Sequence, residues 1–346
     1  MKTSRNVTVV GCHAEGEVGR VVTGGVIPPP GDTLFEMKRF LETEADDLRK
    51  FLLYEPRGGV FVHTNLVLPA KHPDAAAGFI IMEPTDYPPM SGSNSMCVVT
   101  VLLEIGMLPM TEPETRVTLE TPGGLIHVRA QCRDGRCERV RVENVPSFLA
   151  KGDIKIEVGG LGTVAGDISY GGAFFVIVDA KALGFSVTPD EAKDIVKVAE
   201  QIKAAAAEQH PVTHPENPEI HTVTFTEMAM PVEVESDGTK SGRNAVVLSP
   251  GKIDRSPCGT GTSARLALMH AKGEIGVGER YISRSIIGTE FHAETLRAVD
   301  VGGVPGVATS ISGRAWITGI HQYMLDPTDP FPTGYTLSDT WYRALP

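Results

Sequence analysis

Two short segments of the chain carry residues that can move protons, and the segments resemble each other. The first is Met90–Ser95 (MSGSNS) and the second is Pro257–Thr262 (PCGTGT). At an offset of 167 residues Ser91 aligns with Cys258, a glycine follows each, and hydroxyl side chains stand two and four residues further on. A hydroxyl and a thiol at matching positions indicate a pair of groups for acid–base chemistry.

Each segment leads into an apolar stretch that predicts a helix. Met96–Ile105 closes on Gly106 and Ala264–Ala271 closes on Gly273, and these glycines are again 167 residues apart. The first turn of a helix presents free backbone N–H groups and the positive end of the helix dipole, which attract anions. Two such ends would hold a small carboxylate between the serine and the cysteine, the geometry that a two-base racemase or epimerase requires.

A purely structural interpretation competes with this one. Serine and threonine at a helix start often only cap it, by accepting hydrogen bonds from unpaired N–H groups. A lone cysteine is commonly a small buried apolar residue. The repetition at one offset, with matching helix lengths, favours the chemical interpretation.

Composition narrows the class of protein. With 346 residues, 41% hydrophobic and 22% charged, the chain has room for two globular domains. A net charge of −11 argues against a nucleic-acid surface, which needs clustered Lys and Arg. The N-terminus shows no signal-peptide pattern and no 18-residue window suggests a membrane span, so we expect a cytoplasmic protein without membrane contact.

The cysteines and glycine-rich stretches give no sign of a metal or a nucleotide. Five cysteines at irregular spacing fit reduced thiols better than a disulfide framework. Cys132 and Cys137 flank a predicted hairpin turn, and no second pair completes a zinc site. Dinucleotide and P-loop motifs are missing, and Gly159–Gly162 is interpreted as a turn between strands. We therefore expect no metal and no cofactor.

The surrounding elements repeat the same plan in each half. Helices are predicted over Thr33–Tyr54 and from Thr188 to about Ala207, each ahead of its glycine loop. The predicted strands are Asn6–Val10, Val60–Leu68, Gly78–Met82, Arg116–Glu120, Leu125–Gln131, Arg139–Glu143, Gly172–Val178, His221–Phe225 and Ala245–Leu248. This order favours an α+β protein of two related halves, with the ligand in the cleft between them.

Five motifs spread over most of the chain resemble the proline racemase family, whose members include hydroxyproline epimerases and trans-3-hydroxyproline dehydratases. They are His13–Glu17, Glu55–Gly59, Met90–Gly92, Tyr170–Phe174 and Asp254–Thr262, of which the last is the most specific. From the residues alone, His13 is either a cleft-lining or a loop residue. Glu55–Arg57 is interpreted as a helix exit with a structural ion pair.

The resemblance implies a fold like diaminopimelate epimerase. Two pseudo-symmetric domains would each be a strand-rich, barrel-like sheet around a central helix, with the active site in the cleft between them. The first domain would comprise residues 1–134 and 320–346, because the C-terminal segment returns to it, and the second residues 135–319. The resemblance also implies a homodimer that works without pyridoxal phosphate or metal.

The resemblance further implies roles for individual residues. Racemases of the family place two cysteines on opposite faces of the substrate Cα; Cys258 matches the second, and Ser91 stands in place of the first. Asp254 matches the acid that contacts the substrate amine, and Ser93 replaces a histidine that is usual in the racemases. The backbone N–H groups that match the carboxylate cradle belong to Gly92, Ser93, Gly259 and Thr260.

These matches predict a hydroxyproline 2-epimerase that inverts Cα of trans-4- or trans-3-hydroxy-L-proline, or of both. In the family, the second cysteine accompanies epimerisation, whereas dehydratases tend to carry threonine there; the small Ser93 leaves room for a ring hydroxyl. Cys258 is expected to have a lowered thiol pKa at its helix N-terminus. Ser93 and Ser95 are the candidates for the neighbour that activates Ser91.

Two alternatives remain open from the sequence. A trans-3-hydroxy-L-proline dehydratase that forms pyrroline-2-carboxylate needs only one strong base, which suits an unequal Ser/Cys pair. A carboxylate-binding protein without catalysis would also retain the two helix ends.

Overall fold

The structure is a computed structural model that describes residues 3–342 and residue 345. It divides into two compact units. The first comprises Met1–Val142 and Gly313–Pro346, and the second comprises Glu143–Ser312. The C-terminal segment is thus part of the first unit, and the sequence-based boundary at 319/320 falls inside its last strand.

The elements follow the chain in this order. The first part contains β1 (Arg5–Ala14), β2 (Glu17–Gly24), α1 (Leu34–Thr43), α2 (Asp47–Leu53), β3 (Val62–Leu68), β4 (Ala77–Met82), α3 (Gly92–Glu104), β5 (Glu114–Thr121), β6 (Gly124–Arg133) and β7 (Arg136–Glu143). The second contains β8 (Ser147–Val158), β9 (Gly162–Tyr170), β10 (Phe174–Asp179), a 3₁₀ turn (Pro189–Glu191), α4 (Ala192–Gln209), β11 (Val223–Ala229), β12 (Glu233–Val234), β13 (Lys240–Leu248), β14 (Lys252–Ile253), α5 (Gly259–Ala271), β15 (Arg280–Arg284), β16 (Glu290–Val301) and β17 (Val304–Gly313). The chain ends with β18 (Ala315–Leu325).

Both units use the same sequence of strand pairings. In the first, β18, β1, β2, β3, β4, β5, β6 and β7 are successive neighbours. In the second, the corresponding strands are β8, β9, β10, β11, β13, β15, β16 and β17. In each unit only the third and fifth pairings are parallel, and in the second unit β17 also pairs with β8, which closes a barrel.

The helices occupy equivalent connections in the two units. A parallel pair of strands needs a crossover, and the crossovers are α1–α2 and α3 in the first unit and α4 and α5 in the second. The second crossover of each unit, α3 in the first and α5 in the second, packs against several strands of its own sheet. The predicted α+β fold of two pseudo-symmetric strand-rich units, each around a central helix, is therefore confirmed.

The central helices are apolar because sheet surrounds them. A helix buried on every side must be apolar on every side. In α3 each residue from Gly92 to Leu103 is buried, and none of them is charged. In α5 the residues from Gly261 to Met269 are buried, and Arg265 is the single Lys, Arg, Asp or Glu among them. No helix among the described residues has the length and apolarity to cross a membrane.

The predicted single helix Thr33–Tyr54 is wrong, because the chain forms two helices there. Thr33 caps α1 in a capping box with Glu36, as its sequence favours. After Thr43 the helix ends, and the N–H groups of Glu44 and Ala45 both donate to the carbonyl of Phe40. The break falls in a polar stretch that interrupts the apolar spacing.

Candidate active site

Ser91 begins α3 as its N-cap residue. Its backbone is extended, with φ −153° and ψ 131°. Its Oγ accepts from two groups of Asn94, the backbone N–H at 3.5 Å and the side-chain Nδ2 at 3.1 Å. Ser93 Oγ lies 3.4 Å from Ser91 Oγ, whereas Ser95 Oγ donates to the Ser91 carbonyl at 2.6 Å and so supports the helix start.

Behind the serine lies a buried polar network that the sequence analysis did not find. Asn94 Nδ2 is 3.2 Å from Nδ1 of His63, and Asn94 Oδ1 accepts from Asn65 Nδ2 at 2.9 Å. His63 in turn lies between two carboxylates, 3.3 Å from Glu17 and 3.3 Å from Glu83. All five side chains belong to buried residues. Asn94 stands three residues after the cap, a position that faces it on a helix.

Cys258 begins α5 in the equivalent place but with different geometry. Its backbone has φ +63° and ψ 109°, which is unfavourable for a residue with a side chain. Its Sγ accepts from the N–H of Gly261 at 3.4 Å and lies 3.5 Å from Thr260 Oγ1. Ser256 Oγ accepts the Cys258 N–H at 3.1 Å, and Ser256 donates twice, at 2.8 Å, to one oxygen of Asp254. Asp254 therefore also shapes the loop that holds the cysteine.

The protonation of the thiol differs from the expectation. Burial raises the pKa of Cys258 well above its usual value, and the nearby charge of Asp254 raises it further. The hydrogen bonds from Thr260 and Gly261 lower the pKa but do not reverse the direction. The predicted lowered pKa is wrong, because loss of water around the sulfur outweighs the hydrogen bonds that Thr260 and Gly261 make to it.

The predicted site residues fall into two groups, one at each central helix. The first group is Ser91, Gly92 and Ser93, and the second is Asp254, Cys258, Gly259 and Thr260. Except for Ser91 and Thr260, which are half-buried, all of them are buried.

The motif at Tyr170–Phe174 serves the second group through close packing. Gly171 lies against the first turn of α5, where an added Cβ would overlap the backbone oxygen of Thr260 and the N of Ala264. Asn144 Nδ2 fixes this contact, because it donates to the Gly171 carbonyl at 2.9 Å and to Ser263 Oγ at 2.7 Å. The predicted strand here begins at Phe174, after the glycines.

The remaining motifs in the first unit are structural or line a cavity. Arg57 pairs with Asp329 at 3.1 Å, and Glu55 accepts from Trp341 Nε1 at 3.3 Å, so this motif binds the C-terminal segment. The predicted structural ion pair is confirmed. His13 lies in β1, stacks on Trp316 and lines a cavity of about 350 Å³.

The other cysteines and the acidic residues show no metal centre within the described part of the chain. Cys132 and Cys137 lie opposite each other on β6 and β7, on either side of the predicted hairpin turn. Both are free thiols. No group of three or more His, Cys, Asp or Glu side chains among residues 3–342 and 345 has a metal-binding arrangement.

A model of the family described as proline racemase matches residues 9–336. The chain belongs to the proline racemase family. A hydroxyproline epimerase from Agrobacterium vitis, solved with bound trans-4-OH-L-proline, is 41% identical with a TM-score of 0.89, over 99% of this chain and 98% of that one. A probable proline racemase from Agrobacterium radiobacter, solved with bound carbonate, is 43% identical with a TM-score of 0.88, over 97% and 98%.

More distant structures share the fold alone. Methylitaconate-delta-isomerase is 15% identical with a TM-score of 0.52, over 92% of this chain and 95% of that one. Membership of the proline racemase family assigns the protein to the isomerases of the racemase and epimerase type, which act on amino acids.

Proposed function

We propose that this member of the proline racemase family is a hydroxyproline 2-epimerase, which inverts Cα of trans-4- or trans-3-hydroxy-L-proline, or of both, to the cis-D isomer without a cofactor. The observation that carries the proposal is the matched pair of N-cap residues, Ser91 on α3 and Cys258 on α5, in structurally equivalent connections of the two units. The identity of 41% to a hydroxyproline epimerase supports the substrate class.

The proposed mechanism begins with the substrate carboxylate. Removal of the α-proton leaves a carbanion whose charge spreads into the carboxylate, so donors aimed at that group stabilise the transition state. The first-turn N–H groups of α3 and α5 supply such donors, since a helix leaves them without intrahelical partners. They belong to Gly92, Ser93, Gly259 and Thr260.

Asp254 makes ionisation of the Cys258 thiol depend on bound substrate. Its charge raises the pKa of Cys258 in the free protein. In the proposed complex the substrate ammonium pairs with this carboxylate and offsets that charge, so the thiolate becomes more favourable. One group then takes the Cα proton, and the other donates a proton to the opposite face. Each group ends in the protonation state from which the other began.

The dehydratase is the second candidate, favoured by the inequality of the two groups. Serine and cysteine differ in acidity, and elimination of the 3-hydroxyl from trans-3-hydroxy-L-proline needs a single base. The product would be pyrroline-2-carboxylate and water instead of a diastereomer.

One experiment separates these outcomes. The enzyme is incubated in D₂O with trans-4-hydroxy-L-proline, trans-3-hydroxy-L-proline and L-proline, and the products are resolved by chiral chromatography and NMR. The proposal expects a cis-D-hydroxyproline that carries deuterium at Cα. A pyrroline trapped with o-aminobenzaldehyde would support the dehydratase. Thermal stabilisation by hydroxyproline without exchange would indicate binding only, and either result would overturn the epimerase assignment.

We also propose that the protein acts as a homodimer, as the family resemblance implies. Light scattering of the purified chain is expected to give twice the monomer mass of 37.0 kDa. A monomeric mass in active enzyme would refute this part of the proposal.

A further inference from the structure

We propose that Asn94 is the positioning residue that allows Ser91 to act as a base, and that His63 and Asn65 hold Asn94 in place for this task. The inference rests on the proposed epimerase function and names the activating neighbour of its serine. It follows from the direction in which the Asn94 amide must donate.

The hydrogen bonds fix the orientation of that amide. Asn94 Oδ1 accepts from Asn65 Nδ2, which also donates to the Arg20 carbonyl at 3.1 Å. The NH₂ group of Asn94 is therefore the one that faces Ser91 Oγ at 3.1 Å and His63 Nδ1 at 3.2 Å. An amide nitrogen carries two N–H donors, and one of them is directed at Ser91 Oγ.

His63 holds the amide from the other side, because its ring has polar neighbours at both nitrogens. Nδ1 lies 3.2 Å from Asn94 Nδ2 and 3.3 Å from Glu83, and Nε2 lies 3.3 Å from Glu17. The contacts with Asn65 and His63 therefore flank the Asn94 amide, which donates to the serine. Buried polar groups are stabilised by hydrogen bonds, and the bond from Asn65 holds the Asn94 amide in the orientation that faces the serine.

The glycine at residue 19 leaves room for the Asn94 amide. Gly19 on β2 faces α3, and a Cβ added there would lie 2.9 Å from Asn94 Oδ1 and 2.9 Å from Cys97 Sγ. Any side chain at residue 19 would press on the rotamer that places the amide beside the serine.

A serine needs this help more than a cysteine does. A hydroxyl is far less acidic than a thiol, so the Ser–O⁻/Cys–SH form of the pair lies well above Ser–OH/Cys–S⁻. A preorganised donor at 3.1 Å stabilises the charge that appears on Oγ when its proton leaves. At the matching position behind Cys258 the chain has Gly261, which offers only its backbone N–H.

A double-mutant cycle tests the inference. Turnover is measured for wild type, Asn94→Ala, Ser91→Cys and the double variant. With serine present, Asn94→Ala is expected to lower kcat by ~10²–10³-fold, the usual effect of removing one such donor. With a thiol at residue 91, the same change is expected to cost less than ~10-fold, because a thiolate needs less stabilisation. Equal losses in both backgrounds would show a merely structural role and would overturn the inference.

Two further variants distinguish loss of the donor from loss of structure. Asn94→Asp keeps the shape and removes the donor, so it is expected to lose as much activity as the alanine variant. Asn244→Ala is the matched control, because Asn244 is also a buried asparagine, with a 3.1 Å hydrogen bond to Ser283. Its loss of kcat is expected to be the same in both backgrounds. Full activity of folded Asn94→Asp would contradict the inference.

A readout independent of turnover separates this inference from the proposed function. In the Ser91→Cys protein, carrying Cys258→Ser as well, the pH profile of iodoacetamide alkylation reports the pKa of the introduced thiol. Asn94→Ala is expected to raise that pKa and slow alkylation several-fold at pH 8. An unchanged profile would refute donation by Asn94, even in an active enzyme. If the wild-type enzyme exchanges no substrate α-proton, the epimerase function is refuted. The alkylation profile still tests donation by Asn94 in that case.

Discussion

The start of α3 and the start of α5 occupy the same place in two units that share one order of strand pairing. Their cap residues nevertheless differ in backbone conformation and in hydrogen bonds. Ser91 has a relaxed extended backbone and accepts from a side-chain amide. Cys258 has a positive φ, accepts from a backbone N–H and lies 3.5 Å from a nearby hydroxyl. The scaffold therefore sets where each cap residue lies, while local groups set its hydrogen bonds and backbone conformation.

The strained backbone at Cys258 is held by its own loop. Such a conformation costs on the order of 1–3 kcal/mol and persists where neighbours enforce it. Here Ser256 accepts the Cys258 N–H and is itself fixed by Asp254. In the proposed mechanism Asp254 thus links three tasks: loop shape, amine binding and control of the thiol pKa.

The largest expected effect comes from removing the thiol. Cys258→Ala is expected to abolish inversion in both directions, because each direction requires one group to take a proton and the other to give one. Chiral chromatography with both trans-hydroxyprolines measures this. If the reaction were elimination, one of the alanine variants at the two helix starts would keep substantial turnover.

Asp254→Asn is expected to change two rates in opposite directions. Turnover falls by roughly 10–100-fold, the equivalent of losing a hydrogen bond to a charged group of ~1.5–3 kcal/mol. The pKa of the Cys258 thiol falls as well, since a neighbouring negative charge that raises it is gone. Alkylation of Cys258 by iodoacetamide at pH 8, located by mass spectrometry, should therefore become faster. Slower or unchanged alkylation would contradict the assigned cause of the raised pKa.

Packing around α5 gives a stability prediction. Gly171→Ala is expected to destabilise the fold by about 1–3 kcal/mol or more, because the new methyl overlaps the Thr260 and Ala264 backbone. Gly159→Ala is the matched control, since a Cβ there has no atom within 4 Å. Thermal unfolding of both variants measures the difference. Equal melting temperatures would refute the close approach of Gly171 to the helix.

The smallest effect on activity is expected when the two helix starts are made alike. Ser91→Cys restores a thiol on both sides and is expected to retain inversion within ~10-fold of wild type, since a thiol donates and accepts protons at lower cost than a hydroxyl. Initial rates in both directions measure this. A complete loss would show that residue 91 serves the reaction through something other than proton transfer.

The sequence was enough to predict the cap residues of α3 and α5 but not the side chains that surround them. Ser91 and Cys258 could be identified because a cap residue, a glycine and an apolar run are local signals of a helix start. The strands β2, β8, β9, β12 and β14–β18 were not predicted. In β16 (Glu290–Val301) charged side chains break up the apolar alternation that marks a strand.

Tertiary contacts explain what the sequence analysis missed. His63 lies 31 residues before Asn94, and only the packing of α3 against β3 brings them together. The raised pKa of the Cys258 thiol likewise comes from burial by the fold, whereas the sequence showed only the helix N-terminus that favours the thiolate. Local patterns therefore predicted the two cap residues, and the fold determines which side chains surround them.

In the proposed reaction Ser91 and Cys258 act on opposite faces of one substrate, and the turnover of Ser91→Ala in D₂O tests this arrangement. Inversion and deuterium incorporation at Cα are measured separately, starting from each of the two epimers. Inversion is expected to be abolished, while exchange with retention persists for the epimer whose α-proton faces Cys258. Near-wild-type inversion by Ser91→Ala would show that Ser91 is not one of the two proton-transfer groups.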